Sequence, residues 1–283
     1  MTRFPPHLIL EVTAHCNFRC PYCYCVWHEF PELADRELTT EEWTQILDEC
    51  ADNGVNDLLF TGGEALLRPD ILELIRHARQ RMPDAKLTLY TNASRLTEEL
   101  ILKLKELRTE ISTSVQGLAT YAEMTGTRRT YARILRLLAR AKELDWPMSV
   151  GITITSANRR EAADLFCAVA LSGAAAIQIG PTMAEGRARE RLDLLLTRKE
   201  WEAVKEEIRN LPDAGVPYSF CDEMICECRK QPVALRKRCA DPAFQPCPAG
   251  KEFGVIGPNG LLRTCLHTVT ASVRSAQPPA TSC

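Results

Sequence analysis

Cys16, Cys20 and Cys23 stand in the run HCNFRCPYCYC with the spacing C-x3-C-x2-C. Three thiols on one short loop make a metal- or cluster-ligand set that is one short of complete. A closed tetrahedral zinc site needs four ligands, and a simple ferredoxin-type cluster takes four cysteines. Three ligands leave one coordination position open, and that position is where chemistry could occur. The plain alternative is zinc, with His15, Cys25 or His28 as the fourth ligand. Cys25 also reads as a spare ligand, a persulfide site or a small apolar residue, the last being preferred. Trp27 and His28 read first as a packed loop and second as a lining of the site's mouth.

A second segment, Thr61-Gly62-Gly63-Glu64, has its own physical use. Paired glycines let backbone N–H and C=O groups approach a ligand closely, and the carboxylate can hold an ammonium. Alone, such a segment is an ordinary strand-to-helix turn. Its meaning depends on what stands next to it.

The elements that would position these residues follow from hydrophobic patterning. Short β-branched runs recur at HLILEVT, NDLLFTG, KLTLYTN, EISTSVQ, MSVGITIT and AAIQIG, with amphipathic helical segments between them. Thr39 with Glu42, and Thr197 with Glu200, have capping-box spacing, and Pro69 suits a first helical position. RILRLLARAKEL shows one apolar face at helical period, and Pro147 separates it from the fifth strand. Six βα units in series predict an α/β fold, a partial (β/α)6 TIM-like barrel short of the closed eight. After residue 210 Pro, Cys and charge dominate. The boundary falls near residues 211–218, giving a barrel over 1–212 and a small cysteine-rich C-terminal extension over 213–283.

In parallel βα architectures the working groups sit at the carboxyl ends of the strands. The cysteine loop follows strand one and Gly62-Gly63-Glu64 follows strand two. Asn92 closes strand three, Ser114 with Gln116-Gly117 closes strand four, Thr153 and Thr155 end strand five, and Gly180-Pro181-Thr182 ends strand six. All converge on one rim.

The cysteine triad after strand one together with Gly-Gly-Glu after strand two resembles the radical S-adenosylmethionine (SAM) enzymes. The resemblance implies that Cys16, Cys20 and Cys23 are the catalytic ligands of a [4Fe-4S] cluster whose fourth iron chelates the amino and carboxylate groups of SAM. Electron transfer from such a cluster cleaves the sulfonium to methionine and a 5'-deoxyadenosyl radical, which abstracts a substrate hydrogen. It further implies that Tyr22 lies beside the adenine, and that Gly62, Gly63 and Glu64 bind the methionine ammonium. Ser114, and less directly Asn92, would face the ribose or carboxylate end. Arg128, with Arg129 as its alternative, would hold the methionine carboxylate. Gln116 departs from the Ser-x-Asp-Gly of many relatives, which loses a charge there.

The tail carries Cys247 and Gly260-Leu-Leu-Arg-Thr-Cys265, a C-x12-G-x4-C pattern. This is similar to the opening of the auxiliary-cluster domains called SPASM and Twitch. The resemblance implies an auxiliary iron–sulfur cluster on Cys247 and Cys265, with Cys239 and Cys283 completing four ligands. The remainder of a full SPASM pattern is absent, which implies a degenerate or truncated domain. Asn259-Gly260 between apolar runs predicts a hairpin turn. Cys221, Cys226 and Cys228 form a separate C-x4-C-x-C group, a metal site or a bridging loop. Leu266 and then His267 stand where the sulfatase-maturing relatives carry an aspartate after the tail cysteine. His267 is left there as a candidate base.

Composition bounds the rest. The 283 residues are 45% hydrophobic with a net charge of -2, so nothing basic points to nucleic acid or an anionic membrane. There is no signal-peptide pattern and no apolar run of membrane-spanning length. Thirteen cysteines without an export signal read as ligands in a reducing, cytoplasmic setting, with isolated Cys50 and Cys167 as core thiols. Radical enzymes with such tails commonly modify ribosomal peptides, which makes a peptide maturase the first expectation and a small-molecule dehydrogenase the second. The expected partners are the peptide or small-molecule substrate and an electron donor such as flavodoxin or ferredoxin. Only fifteen residues precede Cys16, so a leader peptide would call for a separate binding protein or a surface of the barrel.

Overall fold

The computed structural model describes residues 4–128, 131–221, 249–267 and 271–274. The six expected strands form as β1 (His7–Glu11), β2 (Asp57–Thr61), β3 (Lys86–Thr91), β4 (Thr109–Ser114), β5 (Ser149–Ile154) and β6 (Ala176–Pro181). They pair in parallel in chain order, and β7 (Tyr218–Phe220) continues the sheet beyond β6. The crossovers carry α1 (Thr40–Asp52), α2 (Ile71–Arg81), α3 (Glu98–Glu106), α4 (Tyr121–Thr125), α5 (Ala132–Glu143), α6 (Ala162–Leu171) and α7 (Arg198–Arg209). Both capping boxes are made, at Thr39/Glu42 and Thr197/Glu200. Pro69 falls short of its expected position: α2 begins at Ile71 with Asp70 at the N-cap, and Pro69 lies in the turn before it. Asp70 is held there by Arg68 and Thr40.

A strand presents alternate side chains to opposite faces, and the two faces here have different chemistry. Leu8, Leu10, Leu58, Phe60, Leu87 and Leu89 are buried with Trp43, Ile46 and Leu47 of α1 and Leu74 and Ile75 of α2 in one core. The other face carries Tyr90, Ser112, Gly151 and Gln178, which with Tyr218 and Ser219 line a cleft of about 320 Å³. Among the described residues the sheet ends at β7 on one side and does not close on itself, so the barrel is partial. Among the described residues no helix is long and apolar enough to cross a membrane.

The predicted hairpin forms from β8 (Phe253–Ile256) and β9 (Leu261–Arg263), and β10 (Ala271–Arg274) pairs with β9. Gly260 takes the left-handed φ of +80° that the turn requires. β8 lies parallel on the free edge of β1, His7 opposite Phe253 and Leu10 opposite Ile256. The hairpin therefore extends the barrel sheet. A charge pair also ties it to β1: Arg263 of β9 and Glu11 of β1, each 2% exposed, form an ion pair. Burial pushes the Glu11 carboxyl up to about 7, against the pull of Arg263.

A buried pair gains little net stability over a well-packed apolar pair, yet losing one partner strands the other charge. Glu11→Ala is expected to cost about 3–5 kcal/mol in urea unfolding, whereas the double variant Glu11→Leu/Arg263→Met recovers most of that loss. Equal losses in the two variants would show that the pair does not hold the hairpin.

Candidate functional site

The loop from Val12 to Tyr24 leaves β1 and is held by backbone contacts on three sides. On the β2 side, Gly63 N–H donates to the Thr13 carbonyl at 2.7 Å and Glu64 N–H to the His15 carbonyl at 2.8 Å. The approach is so close that a Cβ on Gly63 would sit 2.3 Å from the His15 oxygen. On the α4 side, Arg19 N–H donates to the Thr125 carbonyl at 3.0 Å. On the β6 side, a short 3-10 turn, Gly186–Glu190, closes over the loop: Arg187 N–H reaches the Cys23 carbonyl at 2.9 Å. A Cβ on Gly186 would lie 2.3 Å from that same oxygen. Glu37 secures the start of the loop, accepting from Ala14 N–H at 2.7 Å and Thr13 Oγ1 at 2.9 Å.

So held, the loop presents Cys16 exposed and Cys20 and Cys23 half-buried. Donors are aimed at sulfur: Phe18 N–H lies 3.4 Å and Asn92 Nδ2 4.0 Å from Cys16 Sγ. Burial pushes the Cys20 thiol up to about 12, with the Tyr22 hydroxyl and Arg187 pulling it down. A hydrogen bond from the Cys25 thiol holds Cys23 well below the usual thiol range, with His28 assisting. Cys25 itself is buried with Val26, Trp27 and Leu33, and its sulfur lies 4.0 Å from the Gly62 carbonyl. Trp27 is thus a packing residue. Among the described residues, no three His, Cys, Asp or Glu side chains converge as one metal ion needs. Thiols that do not converge on one ion, with N–H donors facing the Cys16 sulfur, suit a multinuclear cluster better than a single metal ion.

The strand-end residues gather around this loop. Glu64 is buried, and burial raises its carboxyl pKa. Its Oε1 accepts from Thr91 Oγ1 at 2.5 Å and Leu66 N–H at 3.1 Å, and Oε2 from Asn92 N–H at 2.6 Å. A carboxylate offers about four lone-pair sites, so one acceptor position on Oε2 is left over. Asn92 bridges to Asn17 Oδ1 at 2.9 Å, tying the end of β3 to the cysteine loop. Ser114 ends β4 half-buried, and Arg128 lies exposed just beyond the Gly126 turn. Gln116 turns out to be structural: buried, it accepts from Thr153 N–H at 2.6 Å.

Several positions escaped the sequence reading. Asn158 is fully buried and bonds Gln116, Thr153 and Thr155, joining the ends of β4 and β5. Glu161 gathers Leu118, Ala119 and Thr120 N–H at 2.9–3.3 Å. Gly186-Arg187 follows the strand-six end on the same rim, and its Gly was a usable signal. In the tail, Cys265 follows β9 half-buried, and the His267 ring meets Tyr24 edge-on at 5.6 Å. The hairpin thus stands beside the cysteine loop. Cys239, Cys247, Cys283, Cys226, Cys228 and Arg129 lie outside the described residues. Cys50 is buried as expected, and Cys167 is partly buried against the core.

Three thiols clamped at the carboxyl rim of a partial parallel barrel, with a Gly-Gly-Glu strip alongside, define a cluster-and-cofactor type of site. The chain belongs to the radical SAM superfamily, whose family model matches residues 10–167, from β1 into α6. A PqqA peptide cyclase of Bradyrhizobium diazoefficiens is 32% identical over 171 residues, covering 57% of this chain and 42% of that protein. An AdoMet-dependent heme synthase of Methanosarcina barkeri is 29% identical over 193 residues, covering 67% of this chain and 54% of that protein. The fold is shared with Streptococcus suis SuiB bound to precursor peptide SuiA, at a TM-score of 0.69 and 18% identity over 94% of this chain and 60% of SuiB. The chain spans about half the length of these curated relatives.

If close packing at Gly63 sets the thiol positions, Gly63→Ala displaces the loop and lowers the iron and sulfide bound per chain after anaerobic reconstitution. Gly151→Ala is the control, since its Cβ would meet nothing nearer than the Thr113 carbonyl at 3.8 Å. Full cluster loading in Gly63→Ala would contradict this reading.

Proposed function

We propose that this chain is a radical SAM enzyme that modifies a side chain of a peptide. The observation that carries the proposal is the clamped three-thiol loop facing the Gly-Gly-Glu strip. Cys16, Cys20 and Cys23 hold the [4Fe-4S] cluster, as the sulfur-directed donors and the donor set support. When bound, cluster and SAM together supply a 5'-deoxyadenosyl radical that takes a hydrogen from the substrate. The chain's own residues bind and orient. The free acceptor position on Glu64 Oε2 receives the methionine ammonium, and Thr91 and Asn92 keep that carboxylate in place. Gly62 and Gly63 let the strip run close to the ligand. Tyr22 stands by the adenine, Ser114 and Asn92 face the ribose, and Arg128 receives the carboxylate.

The peptide assignment rests on a relative named as a peptide cyclase. In this reading the barrel is residues 1–212, with β7 continuing its sheet, and the extension is 213–283, where Cys265, with Cys239, Cys247 and Cys283, holds an auxiliary cluster. Electrons come from a flavodoxin or ferredoxin, and a separate protein presents the leader peptide. A reducing cytoplasm suits these thiols. A second reading, a small-molecule substrate, is favoured by the heme synthase relative.

Anaerobically reconstituted, reduced protein given SAM is expected to release 5'-deoxyadenosine, and Cys16→Ala to abolish it. Equal output from the two, or none from the cluster-loaded wild type, overturns the proposal. Cys265→Ala and Cys247→Ala are each expected to lower bound iron by one cluster's worth while 5'-deoxyadenosine formation continues. Unchanged iron in both removes the auxiliary cluster from the account.

A further inference from the structure

The turn that closes over the cysteine loop carries three arginines at alternate positions, 187, 189 and 191. Two have acidic partners. Arg189 bonds Glu29 at 2.9 Å and Glu185 at 2.7 Å, and Arg191 bonds Asp193 at 2.8 Å. Arg187 differs. Its Nη1 lies 3.4 Å from the Cys20 carbonyl, its N–H donates to the Cys23 carbonyl, and among the described residues no ion pair is formed with it.

The placement of Arg187 is well constrained. Gly186 N–H donates to Glu29 Oε1 at 2.7 Å, and Arg189 grips the other oxygen of the same carboxylate. Arg187 is pinned between these two anchors, with its main chain against Cys23 and its guanidinium against Cys20. A half-buried guanidinium whose acceptor among the described residues is one carbonyl lacks the counter-charge that its neighbours have. Negative charge does belong at this place. Three thiolates around a 2+ cluster core carry a net charge of -1, and one-electron reduction makes it -2.

We infer that Arg187 is the counter-ion of the cluster and raises its reduction potential. The inference rests on the reading that the triad holds a cluster. A fixed cation favours the more negative, reduced state, because net charge and hydrogen bonding around the sulfurs set the potentials of such centres. The role is one of electrostatic tuning and loop positioning, and Arg187 takes no part in bond breaking.

The test is an EPR-monitored redox titration without SAM, following the signal that Cys16→Ala removes, in wild type, Arg187→Met, Arg187→Gln and Arg187→Lys. Iron and sulfide are counted in each. The expected result is normal loading with a more negative potential in both neutral variants, by a tenfold or larger change in the reduction equilibrium, about 59 mV for one electron. Arg187→Lys recovers most of that shift. Loading by wild type and Arg187→Lys, but by neither neutral variant, also supports the assignment, since packing alone would not select for charge. An unchanged potential in loaded neutral variants overturns it. So does an equal shift in all three variants, failure of all three to load, or a shift absent here that appears when the titration is repeated with SAM, which would make the partner the cofactor carboxylate. Failure of the wild type to bind any cluster is a separate result, and it removes the underlying reading as well.

Discussion

The site depends on one constraint: the cysteine loop has no regular structure of its own and is shaped by backbone packed against backbone. Its carbonyls at Thr13, His15 and Cys23 are each spoken for by an N–H from another strand's exit. At Gly63 and Gly186 a side chain has no room, since even a methyl would meet a loop carbonyl near 2.3 Å. A free loop would spend conformational entropy on binding a cluster, roughly 1–2 kcal/mol per residue ordered. Here that cost falls on folding the barrel, and the thiols arrive in place.

The same logic extends around the rim. Glu64 joins the exits of β2 and β3, Asn92 joins β3 to the loop, and Asn158 with Gln116 joins β4 to β5. Each link is a buried or half-buried polar group with several hydrogen-bond partners, which is where polar burial rigidifies instead of destabilising. The tail enters this system through β8 on the edge of β1 and through Arg263 on Glu11. Glu11 is the last residue of β1 before the cysteine loop, so the tail hairpin and the loop share a single strand as their common support.

Much of this was legible in the sequence because it follows from periodicity and from turn chemistry. The β-branched runs, the two capping boxes and the Asn259-Gly260 turn depend on neighbours a few residues apart, and all formed. The triad and the Gly-Gly-Glu strip were legible because unusual residue types stood at strand ends. What stayed hidden depends on long-range contact. Glu11 and Arg263 are 252 positions apart, and nothing local marks either as buried. Gln116 looked like a lost catalytic charge, and only the position of Thr153 N–H shows that its amide serves the sheet. Arg187 carries no local signal either, and its place on the cysteine loop comes from contacts with Cys20 and Cys23, more than 160 positions earlier. Pro69 stands two residues before the first helical position, in a turn where Arg68 and Thr40 hold Asp70 through contacts that the local sequence does not mark.

The central claim is that a three-thiol loop leaves one iron open and that the neighbouring strip fills it with the amino-acid end of SAM. The most direct measurement is electron–nuclear double resonance on the reduced, reconstituted protein with SAM labelled by ¹⁵N at its amino group. The account predicts a ¹⁵N hyperfine coupling to the cluster that vanishes when the label is omitted. A loaded, reduced cluster showing no such coupling, and an EPR spectrum unmoved by SAM, would contradict it.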